Sequence, residues 1–274
     1  MTSFDPRAAL FVPASSQKLL ESALKRRPDA IILDLEDGVA ASAKDDARAT
    51  LASSQARCTD AKIPVAVRVN HSISAMVHDI DAIDFKTLAA LFVPKCDDPR
   101  PLANAAELIR ERGGNPDCLI AMIETPRGVE NLSTIAASPH LIGLMFGTED
   151  YMAELDIPAT ADGLDVPATL IALTARSHNL IALGLPGSVG NFADLDLYRS
   201  VTKKARAMGF TGGVAIHPTQ LEILREEFRP TQKEIDEARR AIEAFEAGLT
   251  KGMGAVALDG RMLDAPVIAR ARRI

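Results

Sequence analysis

The stretch DAIILDLEDGV, residues 29–39, sets three carboxylates, Asp34, Glu36 and Asp37, within four residues, directly after a run of isoleucine and leucine. Carboxylates crowded at the end of an apolar segment are costly unless a cation, hydrogen-bond donors or water answer them. Other apolar runs end in groups that can do so or that extend the cluster: Arg68 after PVAV, Lys95 after LFVP, Glu124 after LIAMI, Glu149 and Asp150 after LMFGT, and His217 after GVAI. Glu124 and Asp150 suit a hard divalent cation such as Mg²⁺, which takes one or two carboxylates and fills its octahedron with water and substrate oxygens. No His or Cys cluster competes for zinc. Arg68 can fork onto a substrate carboxylate or an enolate oxygen. In MFGTEDY, the backbone N–H groups of Gly147, Thr148 and Glu149 offer a cradle for a second carboxylate oxygen. A metal beside an arginine stabilises the enolate that forms when a carbon–carbon bond α to a carbonyl is made or broken.

Several of these residues also have a plainer reading. A carboxylate at a strand end is commonly a helix cap or a loop acceptor, and Asp37 can cap the helix that follows it. Lys95 can serve as a structural partner for Glu36. His217, before Pro218, reads as a satisfied core histidine. The trio Glu124, Asp150 and Arg68 resists such explanations, because their joint placement says more than any one residue.

The elements that must position these groups are short and buried. The runs at 9–13, 30–35, 64–69, 90–95, 119–124, 141–147, 182–189 and 213–218 are nearly continuous in apolar residues and turn polar only at their C-terminal ends. That pattern is what a parallel sheet covered on both faces requires. Amphipathic helical stretches lie between most of them, such as SSQKLLESALKRR with Ser15 or Ser16 as N-cap, and PLANAAELIRERGG with its glycine stop. Eight strands with intervening helices predict an α/β protein, a (β/α)8 TIM barrel, over residues 1–228. Catalytic groups then belong at the C-terminal ends of the strands, where the residues above fall. A C-terminal helix and lid extension is expected over 229–274: a helix with an Ile235, Ala238, Ile242, Phe245 stripe, then a hairpin-like excursion and a last helix.

Bulk properties narrow the function classes. The 274 residues are 47% hydrophobic and 25% charged, an ordinary globular composition. A net charge of -6 argues against a nucleic-acid partner. Cys58, Cys96 and Cys118 lack metal spacing and read as buried free thiols in a reducing compartment. The N-terminus lacks a signal-peptide pattern, and no apolar run reaches the roughly 18 residues of a membrane helix, so the expected location is cytoplasmic with no membrane partner.

In order along the chain, RAALFVP, IILDLEDGV, VRVN, FVPK, MIETPRGVEN, ASPHLIGLMFGTEDY and GVAIHPTQ resemble the citrate lyase beta-subunit-like proteins. That group includes malyl-CoA and citramalyl-CoA lyases and lies within the HpcH/HpaI-type class II aldolases. The resemblance spans Arg7 to Gln220 and implies a trimeric or hexameric, Mg²⁺-dependent (β/α)8 enzyme that cleaves 3-hydroxyacyl thioesters. By motif it implies Glu124 and Asp150 as metal ligands, Arg68 as the substrate and enolate contact, and Glu36 and Asp37 as acids ordering the metal's waters. The tail GRMLDAP resembles the lid of malyl-CoA-type lyases, which implies that Asp264 reaches a neighbouring subunit's site for acid/base or hydrolytic chemistry. Asp264 can equally cap the final helix before Pro266. Two departures concern the thioester side: Ala14 stands where glycine is usual, and Gly187 where an aspartate is common. Arg7 and the basic LKRRP are weak candidates for coenzyme A phosphates. The expected activity is cleavage of a short 3-hydroxy-dicarboxylic acyl-CoA to an acyl-CoA and a 2-oxo acid. The alternatives are a thioesterase or a class II 2-oxo-acid aldolase on the same site, or a non-autonomous citrate lyase beta-like subunit.

Overall fold

The computed structural model describes residues 4–158 and 162–274. By contact density the chain divides into two compact units, one running to Phe228 and one from Arg229 to Ile274.

The first unit alternates strand and helix. In order it contains β1 (Ala8–Pro13), α1 (Gln17–Arg26), β2 (Ala30–Asp34), α2 (Lys44–Asp60), β3 (Val65–Arg68), α3 (Ile73–Asp81), β4 (Leu88–Val93), α4 (Arg100–Glu111), β5 (Leu119–Ile123), the short α5 (Pro126–Glu130) and α6 (Leu132–Ala136), β6 (Leu141–Phe146), α7 (Thr148–Leu155), α8 (Asp165–Ser177), β7 (Ile181–Leu183), α9 (Leu195–Met208), β8 (Gly213–Ala215) and α10 (Pro218–Phe228). The strands pair in parallel in the order β7-β6-β5-β4-β3-β2-β1-β8. A single bridge between Leu183 and Gly212 joins β7 to the approach of β8, so the barrel is nearly closed. The eight-stranded barrel expected from the sequence is present.

Strand periodicity decides which residues reach the barrel interior. Ala9, Ala30, Ile32, Ala66, Ala90, Phe92, Ile120, Met122, Met145, Leu183 and Val214 form the inner core cluster. Their neighbours Leu10, Ile31, Leu33, Val65, Val67, Leu91 and Leu144 pack outward under the helices. Continuing each inward series by two residues brings Asp34 after Ile32, Arg68 after Ala66, Glu124 after Met122 and Gly147 after Met145 to the C-terminal mouth. Phe4 closes the other end edge-on to Phe92, with ring centroids 6.3 Å apart.

Three strand ends are set by particular contacts. β2 ends at Asp34 because its own carboxylate turns the chain, accepting from the N–H of Glu36 at 2.9 Å and of Gly38 at 2.8 Å. β7 ends where Gly184 adopts φ +132°, with Phe146 too close behind it for a side chain. β8 ends where Gln220 Oε1 takes the N–H groups of Ile216 and His217 in place of a strand partner.

The second unit holds α11 (Gln232–Leu249), an antiparallel hairpin of β9 (Val256–Leu258) and β10 (Arg261–Leu263), and α12 (Ala265–Ala271). Thr231 and Glu234 form a reciprocal capping box at the start of α11. Phe245, Leu263 and Ile268 make its small core. Among the described residues no helix is long and apolar enough to cross a membrane, and the three cysteines are buried and free.

Candidate active site

A cavity of about 360 Å³ opens at the C-terminal ends of the strands. Its walls divide by chemistry: Asp34, Asp37, Arg68, Glu124 and Asp150 on one side, and Phe11, Met122, Met145, Leu185, Val214 and Ile216 beneath and opposite.

Arg68 organises the charged side. Asp34 and Arg68 are register partners on β2 and β3, and both face inward. The Nε and Nη2 of Arg68 each donate to Asp34 at 2.7 Å, a bidentate pair in which both side chains are largely buried. Nη1 stands 3.1 Å from Glu36 Oε2 and 3.7 Å from Asp37 Oδ2. The guanidinium lies over the Phe11 ring, 4.9 Å from its centroid. Burial works against the Arg68 charge, but the hydrogen bonds and proximity of Asp34 more than offset it, and its pKa stays above the ordinary arginine value. The fork that the sequence offers to substrate is thus held by Asp34, and what remains for a ligand is the open side of a fixed cation.

Glu36 lies beside Arg68 rather than on the cavity wall. Its Oε2 is buried, and no donor is aligned on it, the Arg68 contact lacking hydrogen-bond geometry. Burial pushes its pKa up to about 8, opposed by Arg68 and aided by Glu124, Asp37 and Asp34. Asp37 is exposed and caps no helix, since α2 begins at Lys44 without a side-chain cap. The turn chemistry belongs to Asp34.

Glu124 is 2% exposed. Its Oε2 accepts from the backbone N–H of Lys95 at 2.8 Å, and Lys95 adopts φ +50° at the end of β4 to aim that group. Burial raises the Glu124 pKa to about 7; the Lys95 N–H lowers it and the charge of Asp150 raises it. The Lys95 ammonium sits 3.4 Å from Asp150 Oδ1, so its carboxylate partner is Asp150 and not Glu36.

At the start of α7, Gly147 donates its N–H to Ile123 at 3.0 Å, extending the β5–β6 pairing. The N–H groups of Thr148, Glu149 and Asp150 precede the first intrahelical bond, from Tyr151 to Gly147, and stay available. The cradle read from MFGTEDY therefore starts one residue later. The Thr148 hydroxyl donates to Gly187 O at 3.0 Å. Glu149 Oε1 accepts from Ser188 Oγ at 2.6 Å and from the N–H groups of Val189 and Gly190 at 2.8 and 2.9 Å. Its carboxylate clamps the β7–α9 loop, which sequence spacing does not reveal.

Two further expectations are corrected. His217 is half-exposed, stacked on Phe192 at 4.7 Å and hydrogen-bonded to Thr219, and is no core histidine. Arg7 and the Lys25–Arg27 cluster flank the N-terminal ends of β1 and β2. β1 runs about 20 Å from there to the cavity, which puts them on the wrong face for a ligand of the site. In the second unit, Asp264 is the N-cap of α12 and accepts from Val267 N–H at 3.2 Å.

The arrangement fits Mg²⁺. Asp34, Glu36, Asp37, Glu124 and Asp150 face two cations, Arg68 and Lys95, and burial, with neighbouring carboxylates adding to it, raises the Glu36 and Glu124 pKa values. Among the described residues no three His, Cys, Asp or Glu side chains are grouped to enclose an ion. A cation here would take the two carboxylates Glu124 and Asp150 and draw its other oxygens from water and substrate, the habit of Mg²⁺.

A parallel barrel whose charged mouth is built from several strand ends is the frame of a metal-assisted enzyme of the aldolase and lyase class. The chain belongs to the HpcH/HpaI aldolase/citrate lyase family, whose model matches residues 7–218. It is 32% identical over 274 residues to the citrate lyase subunit beta-like protein of Deinococcus radiodurans, covering 98% of this chain and 95% of that one. It is 35% identical over 271 residues to the (3S)-malyl-CoA thioesterase of Cereibacter sphaeroides, covering 97% and 92%. Among solved structures, the protein CitE of Mycobacterium tuberculosis in complex with magnesium, acetoacetate and coenzyme A superposes with a TM-score of 0.77 at 28% identity, covering 98% of this chain and 96% of that one.

Proposed function

We propose that the protein is a Mg²⁺-dependent carbon–carbon lyase that cleaves a short 3-hydroxy-dicarboxylic acyl-CoA to an acyl-CoA and a 2-oxo acid. The carrying observation is the pair Glu124, just past β5, and Asp150, in the first turn of α7 after the neighbouring β6, both on the cavity wall. Bound there, Mg²⁺ would polarise the hydroxyl and carboxylate oxygens of the substrate's oxo-acid half. In the reaction the 3-hydroxyl loses its proton, the C2–C3 bond breaks to leave a carbonyl at C3, and the electron pair passes to C2 as the thioester enolate. Protonation at C2 completes the acyl-CoA. Arg68, fixed by Asp34, holds positive charge beside the developing anion; Asp37 orders water from the cavity wall, and Glu36 acts on that water from behind, through its place against Arg68. Lys95 steadies Asp150, and the N–H groups of Thr148 and Glu149 receive the distal carboxylate. In this reading the enzyme is a cytoplasmic trimer or hexamer, and Asp264 works from a neighbouring subunit, taking the proton that the 3-hydroxyl gives up and relaying it to C2.

A second reading is thioester hydrolysis, favoured by the 35% identity to a (3S)-malyl-CoA thioesterase. Product analysis separates the two: malyl-CoA yields acetyl-CoA and glyoxylate by lysis, but malate and free coenzyme A by hydrolysis. The test of the site itself is calorimetric titration of Mg²⁺ with pyruvate or glyoxylate into the wild type and Asp150→Ala. Metal-dependent oxo-acid binding that disappears in the variant supports the site. Binding that survives Asp150→Ala places the metal elsewhere.

A further inference from the structure

A second cluster of buried and half-buried polar groups lies behind the Asp34–Gly38 turn, and none of its members lines the cavity. The ammonium of Lys44 donates to Leu35 O at 2.9 Å, to Glu36 O at 3.1 Å and to Asn70 Oδ1. Asn70 Nδ2 donates to Leu35 O at 2.9 Å and to Asp79 Oδ2 at 2.7 Å, and its backbone N–H reaches the same Asp79 oxygen at 2.6 Å. The other oxygen of Asp79, a fully buried residue, accepts from Arg48 Nε at 2.8 Å.

Three features set Lys44 apart from a surface lysine. An ammonium has three donors, and all three are used here on fixed acceptors. Lys44 is the first residue of α2, where the helix dipole disfavours a cation, so the helix itself does not account for it. Finally, the carbonyls it takes lie where the chain turns out of β2: Leu35 O is shared with Asn70, and Glu36 O with the Val39 N–H inside the turn, so the ammonium adds a second donor to each. Buried ion networks seldom add net stability over well-packed apolar residues, whereas they do fix geometry.

We propose that Lys44 is the positioning residue for Glu36. Held by Asn70 and the Asp79–Arg48 pair, its ammonium clamps the carbonyls of Leu35 and Glu36 from behind. Asp34 holds the N–H groups of Glu36 and Gly38 from the front. The turn is thereby fixed on both sides, and the Glu36 carboxylate is presented to Arg68 in one place. For its effect on metal binding this inference rests on the lyase reading; for the geometry of the turn it does not.

The experiment compares wild type with Lys44→Met, which keeps the chain length and removes the donors, and Lys44→Arg, which keeps the charge but not the three-way donor geometry. Two quantities are read: hydrogen exchange of the Glu36, Gly38 and Val39 amides, and the calorimetric affinity for Mg²⁺ with pyruvate. In Lys44→Met exchange rises at least about tenfold at those amides and not in the barrel strands, and the affinity falls about tenfold or more, the usual cost of losing an outer-shell partner. Lys44→Arg lies between. A folded Lys44→Met with exchange and affinity both as in wild type overturns the proposal, as does raised exchange with unchanged affinity. If wild type itself binds no metal, the lyase reading fails, while the exchange comparison still decides whether Lys44 sets the turn. Should Lys44→Met not fold, Lys44→Arg and Asn70→Ala decide on the same measurements.

Discussion

A Cβ on Gly147 would stand 2.4 Å from Glu124 Cγ and 2.6 Å from its Oε1. Neither residue can easily yield, because Gly147 is tied by its N–H to Ile123 and Glu124 by its Oε2 to the Lys95 backbone. The absence of a side chain at position 147 is thus a condition for the carboxylate at the end of β5 to lie where it does.

Gly147→Ala should therefore displace Glu124. The expected result is a loss of about 1–3 kcal/mol in unfolding free energy from overpacking. Mg²⁺–oxo-acid affinity should fall by about tenfold or more. Urea denaturation and calorimetry measure the two separately. Unchanged metal affinity in a destabilised variant would separate Glu124 from the cation.

Breaking the Asp34–Arg68 pair should cost more. Asp34→Asn leaves a buried guanidinium without its bidentate partner, and the expected destabilisation is about 3–5 kcal/mol. Arg68→Lys keeps a charge but loses the fork, so it should retain most of the fold while acyl-CoA cleavage drops. Chemical unfolding and steady-state kinetics on the two variants check this. Wild-type turnover in Arg68→Lys would remove the arginine from the reaction.

The raised glutamates predict a pH dependence with a definite sign. Glu36 and Glu124 move from the ordinary 4.5 up to about 8 and about 7, both chiefly by burial. Between pH 4.5 and 8 the folded, metal-free protein binds more protons than the unfolded chain, so its stability falls as pH rises across that window. Mg²⁺ favours the ionised carboxylates and should reverse the trend, its stabilising effect growing with pH. Melting curves with and without Mg²⁺ from pH 5.5 to 8.5 test the slope. Proton release on binding, seen by calorimetry in buffers of different ionisation enthalpy, tests the cause.

Asp264 allows a clean separation of capping from chemistry. Asparagine caps a helix as well as aspartate, so Asp264→Asn should preserve the second unit, while Asp264→Ala should cost it about 1 kcal/mol. If the carboxylate serves the reaction, both variants lose acyl-CoA turnover alike. Full activity in Asp264→Asn would leave the residue a cap and nothing more.

Much of this architecture is legible in the sequence because both faces of each strand are buried. ALFVP, AIILD and LIAMI could not be surface strands, and their polar termini mark the mouth. Counting by twos from Ile32 and Ala66 even brings Asp34 and Arg68 inward together. What escaped depends on approaches between distant segments. Glu149 looks like its neighbour Asp150 in sequence, yet it meets a loop that begins some forty residues later. Lys44 lies nine residues from Leu35 on a separate helix, and its targets are carbonyls, which leave no mark in side-chain identity. The seventh strand stops short of its apolar run because Gly184 and Pro186 interrupt the ladder there, where hydrophobicity alone does not register them.

The joint between β7 and β8 is the short one, held by one bridge and the backbone hydrogen bonds of Thr211, Gly212 and Gly184, whereas β2 with β3 and β5 with β6 share four and five register pairs. The staves that bear the carboxylates and Arg68 are thus the firmly glued ones. The short seam borders Leu185, Val214 and Ile216, the greasy flank of the mouth. Strain applied to the apolar flank would thus fall on the short seam before it reached the paired strands that hold Asp34 and Arg68.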